Sequence, residues 1–492
     1  MALTRRQLFG LSGGVVSGVG LAACGVALTA PGGSTGAVLA SRVPLPEPFE
    51  VDLPQPDILR PRNGKASVTV RRKGIEILPG RTTEIVGYDG TFPGPTIEAT
   101  KGEPLALTVN NSHSGRIVNH LHGGVVPPEH DGYPTDFVEP GSSRVYRYPL
   151  EQRGATLWYH DHAMDLTGPN VYAGMAGAFL LRDPAEEDLG LPERELTLVL
   201  TDRSFGEDAE LEYPVTEGVI EYRYHAGLLG DVMLVNGAPW PRTDVDAARY
   251  RLRILNACNA RRLELALEGE DSKDADLTQI GTDLGVLTAP HRRRSITLAP
   301  AERADVVVDF GTSSVGSTLT LVNRLDEGAM GQVMRFDVAR RAKDDSRVPD
   351  RLSTIERIDP DSVVTTRDFR LSLGTSQDSS GHSHSDAQGR SLAMWAVNGR
   401  PYEPGVDLAK PRLGTVERWR FTTDVHHPVH AHLVGFQVEQ DGSPAWKDTI
   451  DVGPSSRAEV LVPIEGYRGR YVLHCHNLEH EDRMMMADFS VV

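Results

Sequence analysis

The chain of 492 residues contains only three cysteines, Cys24, Cys258 and Cys475. Three cysteines are too few for a disulfide framework, so stability must come from packed cores or bound metals. Basic residues are also short, 51 Lys and Arg against 68 Asp and Glu. The formal charge of −17 leaves no basic face of the kind nucleic acid requires. It bears on solubility more than on chemistry. Long apolar runs are missing too. The one mildly apolar stretch sits at the extreme N-terminus and is interrupted by glycines, which argues against a transmembrane anchor. Sustained helical periodicity is scarce. Forty-nine Gly and 33 Pro instead punctuate short alternating stretches, the signature of an all-β protein.

Those stretches include ALTVNN (106–111), SRVYRYPL (143–150), ELTLVL (195–200), RYRLRIL (249–255), ADVVVDF (304–310) and RAEVLVPI (457–464). They recur within a larger repeat. A turn signal appears as Asp89-Gly90-Thr91-Phe92-Pro93, Asn236-Gly237-Ala238-Pro239-Trp240 and Asn398-Gly399-Arg400-Pro401-Tyr402. Later in each third come a Pro, a short polar turn, an Arg and a strand: Pro140 to Arg144, Pro300 to Arg303 and Pro454 to Arg457. A chain this long exceeds one core, and the repetition predicts three β-sandwiches of one kind. The Pro-rich stretch 31–64 reads as an arm packed over a domain surface. The segment 376–389 has no core-forming residues and reads as a surface loop, with His382 and His384 solvated.

The N-terminus, Thr4-Arg5-Arg6-Gln7-Leu8-Phe9 before a modest apolar segment, has the form of a twin-arginine export signal, which carries folded cargo. Leu21-Ala22-Ala23-Cys24 resembles a lipobox, which would make Cys24 a lipid anchor in the cell envelope. Cleavage at the small-x-small site Val38-Leu39-Ala40 is the alternative. Cys258, in an apparent strand and turn, reads as a buried core thiol.

Ten of the 17 histidines fall in four short clusters. These are His120-Leu121-His122, His160-Asp161-His162, His427-Pro428-Val429-His430-Ala431-His432, and the stretch His474-Cys475-His476-Asn477-Leu478-Glu479-His480-Glu481-Asp482-Arg483-Met484-Met485. A thiolate, an imidazole five residues on and a thioether five further match a blue-copper ligand set once a second His joins them. In a strand, Cys475 faces one way while His474 and His476 face the other. One tripeptide would then connect one metal to two more.

With its motifs NHLHGG, HDGYP, LWYHDHAMD, NVYAGMAGA, LAPAERADVVVDF, HPVHAH and HCHNLEHED, the chain resembles the multicopper oxidases from about Lys65 to its end. Within that family it is most similar to the bacterial spore-coat laccase and bilirubin oxidase group. The resemblance implies an all-β fold of three cupredoxin-like Greek-key β-sandwich domains. They are placed at 65–190, 191–345 and 346–492, after a signal segment 1–30 and the arm 31–64. It also implies four coppers per chain. A type 1 copper takes His427, Cys475 and His480 with Met485 axial, although Met484 and Met486 are adjacent thioethers. His120 and His430 match type 2 ligands. His122, His160, His162, His432, His474 and His476 match the type 3 pair.

The same resemblance places proton relays at Asp131 and Glu481. Burial would raise their pKa while the cationic cluster lowers it. The implied activity is one-electron oxidation of phenols or aromatic amines coupled to reduction of O2 to water by a monomer. The alternatives are a bilirubin-oxidase-like enzyme and a cuprous oxidase. With 10 Met in all, three of them at 484–486, a Met-rich loop to collect Cu(I) is absent. A copper-storage or structural protein is disfavoured by the complete ligand set.

Overall fold

The computed structural model describes residues 33–216, 219–269, 274–374 and 394–492. Arg5, Arg6 and Cys24 of the export and lipobox readings, and His382 and His384 with their loop, lie outside those residues. Among the described residues no helix is long and apolar enough to cross a membrane.

The alternating stretches are strands. Leu105–Asn111 and Val416–Thr423 bury every second residue, because side chains alternate across a pleated sheet and only one face meets the core. The strands assemble into three successive sheet pairs. The first pairs a four-stranded sheet built on Lys65–Glu76 with a five-stranded sheet built on Ala155–Asp161. The middle pairs a seven-stranded sheet containing Arg303–Asp309 with a six-stranded one containing Leu263–Gly269. The last pairs a six-stranded sheet on Val416–Thr423 with a five-stranded one on Gly469–Cys475.

Each pair repeats the same joins. Lys65–Glu76 runs parallel to Leu105–Asn111, Glu195–Arg203 to Arg249–Asn256, and Val363–Leu373 to Val416–Thr423. The turn signals repeat in conformation as well. Asp89-Gly90, Asn236-Gly237 and Asn398-Gly399 all take positive φ at both residues, the backbone that favours Asn or Asp followed by Gly. The residue after each repeated proline, Gly141, Ala301 and Ser455, is also left-handed. It turns the chain into the strand that carries Arg144, Arg303 or Arg457.

The Pro-rich arm crosses the middle repeat and then joins the first. Ala37–Val38 pairs with Leu228–Leu229, Leu53 N–H donates to the Arg242 carbonyl, and Ile58–Leu59 pairs with Thr96–Ile97. Ser34 and Thr35 are buried, whereas Val38 and Ala40 are exposed. Cys258 is a free, buried thiol, as its setting suggests. Every repeat touches the other two. Tyr471 Oη donates to the Val126 carbonyl at 3.0 Å, Thr282 Oγ1 to the Trp446 carbonyl at 2.8 Å, and Arg303 Nε to the Thr156 carbonyl at 2.9 Å. The chain closes on itself, bringing the first and last repeats together.

Candidate metal centres

Strand parity sorts the ligands. Gly469–Cys475 pairs with His427–Ala431 so that Val429 opposes Cys475 and His430 opposes His474. Residues 427, 429 and 431 share a face with Cys475, whereas His430, His432 and His474 occupy the other. Cys475, Val429, Ala431 and Met485 pack in the core of the last repeat. The opposite face meets Asn119–His122 and Ala155–Asp161, strands buried along their whole length.

On the core face, His427 Nδ1, Cys475 Sγ and His480 Nδ1 form a triangle with sides of 3.4, 3.6 and 3.1 Å. Ligands about 2 Å from a shared metal in trigonal array lie about 3.5 Å apart, so the triangle fits one ion. The outer ring nitrogens are fixed: His427 Nε2 lies 2.9 Å from Asp424 Oδ1, and His480 Nε2 donates to the Ala226 carbonyl at 3.0 Å. These bonds set the tautomer that turns Nδ1 inward. Burial holds both imidazoles below their usual pKa, and for His480 strongly so. Burial likewise pushes the Cys475 thiol well up. Without a cation the sulfur stays protonated, and a bound metal supplies the charge that ionises it.

Met485 packs in the same core cluster as Cys475. Its N–H donates to the His480 carbonyl at 3.0 Å, and its own carbonyl accepts from Cys475 N–H at 3.1 Å. Met484 and Met486 pack elsewhere, with Tyr402 and Val472. Met485→Leu is expected to keep the blue colour and raise the site's reduction potential, because a weak donor that favours Cu(II) is lost. Redox titration checks this, with Met484→Leu and Met486→Leu expected to shift it less.

On the opposite face eight histidines converge. His122, His160 and His476 stand with ring centroids 5.7, 5.0 and 5.3 Å apart. His162, His432 and His474 form a second triad at 4.9, 4.9 and 5.3 Å. His120 and His430, 5.8 Å apart, sit between them. Most rings have one nitrogen anchored. The Nδ1 atoms of His120, His160, His430 and His474 bond the carbonyls of Asp131, Asp161, Asp448 and Cys475. Most of the remaining ring nitrogens have nothing to bond. His120 Nε2, His122 Nδ1, His160 Nε2, His430 Nε2 and both His476 nitrogens are buried without a partner among the described residues. His162 Nε2 and His432 Nε2 each face His474 Nε2 at 3.3 Å.

An unpaired buried polar atom costs about 1–3 kcal/mol, so this many inward-facing nitrogens fit a group of cations and little else. Burial, reinforced by neighbouring imidazoles, depresses the pKa of His120, His122, His430, His432 and His476, and lowers it to about 3 for His160 and about 4 for His162. They are therefore neutral donors at physiological pH.

The two acids part company. Burial, with Asp136 nearby, holds Asp131 well above the usual carboxylate range, and its Oδ2 lies 2.6 Å from His432 Nδ1. Gly132 follows at φ +88°, where a Cβ would come within 2.4 Å of the Asn119 carbonyl. Glycine thus lets Asp131 reach the cluster. Burial opposes ionisation of Glu481, but His474 and His162 outweigh it and hold the carboxyl at about 2. Its oxygens lie 3.0 Å from His474 Nδ1 and 3.7 Å from His162 Nδ1.

Several residues of the site had no signal in the sequence. Asp424 and the Ala226 carbonyl orient the triangle, and the Trp395 ring lies against His480, tilted by 33° with centroids 3.8 Å apart. Asp448 Oδ1 and Thr449 Oγ1 each lie 3.2 Å from His122 Nε2. Asp448 is one of 68 acidic residues, and only the folded chain brings it to a histidine more than 300 positions away. The middle repeat, which carries none of the four histidine clusters, supplies the Ala226 carbonyl to His480 and Arg303 to Asp448. A cavity of about 550 Å³ where the repeats meet reaches Gly123 and Asp448.

A soft thiolate site joined by one tripeptide to an imidazole cluster is a donor set suited to copper. Known proteins are similar to this chain in sequence and in fold. Two family profiles described as multicopper oxidase match residues 69–186 and 375–492. A laccase of Bacillus subtilis is 34% identical over 90% of this chain and 98% of its own length. A bilirubin oxidase of Albifimbria verrucaria is also 34% identical, covering 91% of this chain and 80% of that protein. The crystal structure of the McoA multicopper oxidase of Aquifex aeolicus superposes with a TM-score of 0.78 at 28% identity, over 89% of this chain and 99% of that one. The chain belongs to the multicopper oxidase family. It is a copper-dependent, laccase-like oxidase with cupredoxin-like domains.

Proposed function

We propose that the protein oxidises small phenols and aromatic amines one electron at a time and passes four electrons to O2, releasing water. Four coppers are assigned: one in the His427–Cys475–His480 triangle with Met485, one between His120 and His430, and a pair held by the two triads. Copper at the triangle supplies reversible one-electron chemistry, and copper in the cluster supplies dioxygen reduction. The observation that carries the reading is the covalent continuity of His474-Cys475-His476, whose alternating faces reach both sites.

The protein's own groups do the rest. Trp395 and the Ala226 carbonyl seal His480 from solvent, so a donor docks outside the ligand shell and its shape is weakly constrained. Asp131, whose protonated form burial favours, serves as a proton store beside His432. Glu481, ionised at rest, accepts protons and passes them on beside His474 and His162. The cavity reaching Asp448 offers O2 and water a path to the cluster.

Oxygen uptake by the copper-loaded protein tests the reading. A simple methoxyphenol is expected to sustain uptake at a higher kcat/KM than bilirubin or Cu(I). Faster turnover of bilirubin would favour the bilirubin-oxidase reading, and faster turnover of Cu(I) the cuprous one. No uptake with any donor would leave only copper storage.

A further inference from the structure

Arg303 is buried, and its five N–H donors are spent across all three repeats. Nε donates to the Thr156 carbonyl at 2.9 Å, on the strand that bears His160. One terminal nitrogen donates to the Ala301 carbonyl at 2.8 Å and to Asp448 Oδ1 at 2.7 Å. The other donates to the Asp283 carbonyl at 3.1 Å and to Asp448 Oδ2. The guanidinium thus grips Asp448 as a two-pronged fork while its remaining donors are anchored in the first and middle repeats.

Asp448 in turn touches two rings of the cluster. Its Oδ1 lies 3.2 Å from His122 Nε2, and its carbonyl accepts from His430 Nδ1 at 2.8 Å. Thr449 Oγ1 braces the arrangement, donating to Asp448 Oδ1 at 2.9 Å. The residue after His122 is Gly123 at φ +81°, and a Cβ there would lie 2.6 Å from Asp448 Oδ2 and 2.9 Å from the Arg303 guanidinium. The histidine strand is therefore cut back where the ion pair passes.

A buried ion pair is a weak source of stability, because desolvation offsets its attraction. Its distinctive asset is direction: a planar fork holds a carboxylate in one orientation. We infer that Arg303, from the repeat that bears none of the assigned copper ligands, is a positioning residue that acts through Asp448 to fix the rings of His122 and His430. The inference rests on the assignment of those histidines to copper.

The test compares Arg303→Lys, Asp448→Asn, their double variant and Thr449→Val with the parent. Copper affinity of the cluster is read by chelator competition, and paramagnetic copper per chain by electron paramagnetic resonance. Arg303→Lys and Asp448→Asn are each expected to weaken cluster copper by about 10- to 100-fold, the usual effect of losing a partner of a metal ligand. Paramagnetic copper should rise as coupling within the pair is lost, with the blue band unchanged. The double variant should be no worse than the worse single one, because both act through one carboxylate. Thr449→Val leaves the ion pair and the fold intact and should show the same signature more weakly. Parent-like clusters in these variants would overturn the inference. So would loss of blue colour in step with cluster copper, which marks failure of the scaffold as a whole. A parent that holds no copper beyond the triangle would instead overturn the ligand assignment itself.

Discussion

Replacing Cys475 by serine is expected to abolish the blue colour and reduce donor oxidation to the rate of the copper-free protein, while copper in the histidine cluster is retained. The colour arises from thiolate-to-Cu(II) charge transfer, which a serine hydroxyl cannot supply. Sγ closes the triangle with His427 and His480 at 3.4 and 3.6 Å, so its loss also removes the soft ligand that makes the site accept electrons readily. The cluster survives because parity places His474 and His476 on the other face, with His474 Nδ1 still held by the backbone carbonyl of residue 475. Absorbance, metal analysis and oxygen uptake on one preparation check the three parts together. Blue colour in the serine variant would remove the assignment of Cys475.

Glu481→Gln is expected to leave colour, copper content and reduction by donor nearly normal while slowing reoxidation by O2 about 10²- to 10⁴-fold, the usual worth of a positioned proton donor or acceptor. Glu481 Oε2 lies 3.0 Å from His474 Nδ1, whose N–H it shares with the Cys475 carbonyl. The carboxylate is buried and carries unused acceptor capacity, which suits a proton in transit. The amide preserves shape but cannot cycle a proton, so the variant should remain reduced in air. A purely orienting role predicts another pattern, with copper content and colour falling together with activity. Rapid mixing of the reduced variant with O2 separates the two. A parent-like rate at full copper loading would shift the proton role to Asp131 alone.

The strands and the ten histidines with Cys475 were legible in the sequence because each signal is local. Alternation, turn residues and H-x-H spacing all act over a few positions, and parity alone separates Cys475 from its neighbours. Met485 was singled out only by resemblance, since three consecutive methionines look alike until packing places two of them against Tyr402. What could not be read is what the topology assembles. Asp424 lies three residues from the histidine it orients, yet nothing marks it among other aspartates. Ala226 contributes only a carbonyl, which has no residue signature. Arg303 was seen as a repeated turn element, like Arg144 and Arg457. Those two lie at least partly open to solvent, whereas Arg303 is closed in by all three repeats, a difference created by tertiary burial alone.

The most direct measurement of the central claim is the ratio of donor oxidised to O2 consumed, with peroxide assayed in the same vessel. If Cys475 feeds a cluster that stores electrons until O2 is fully reduced, four molecules of a one-electron donor disappear per O2 and no peroxide accumulates. Two donors per O2, with peroxide released in equal amount to the O2 consumed, would contradict the account.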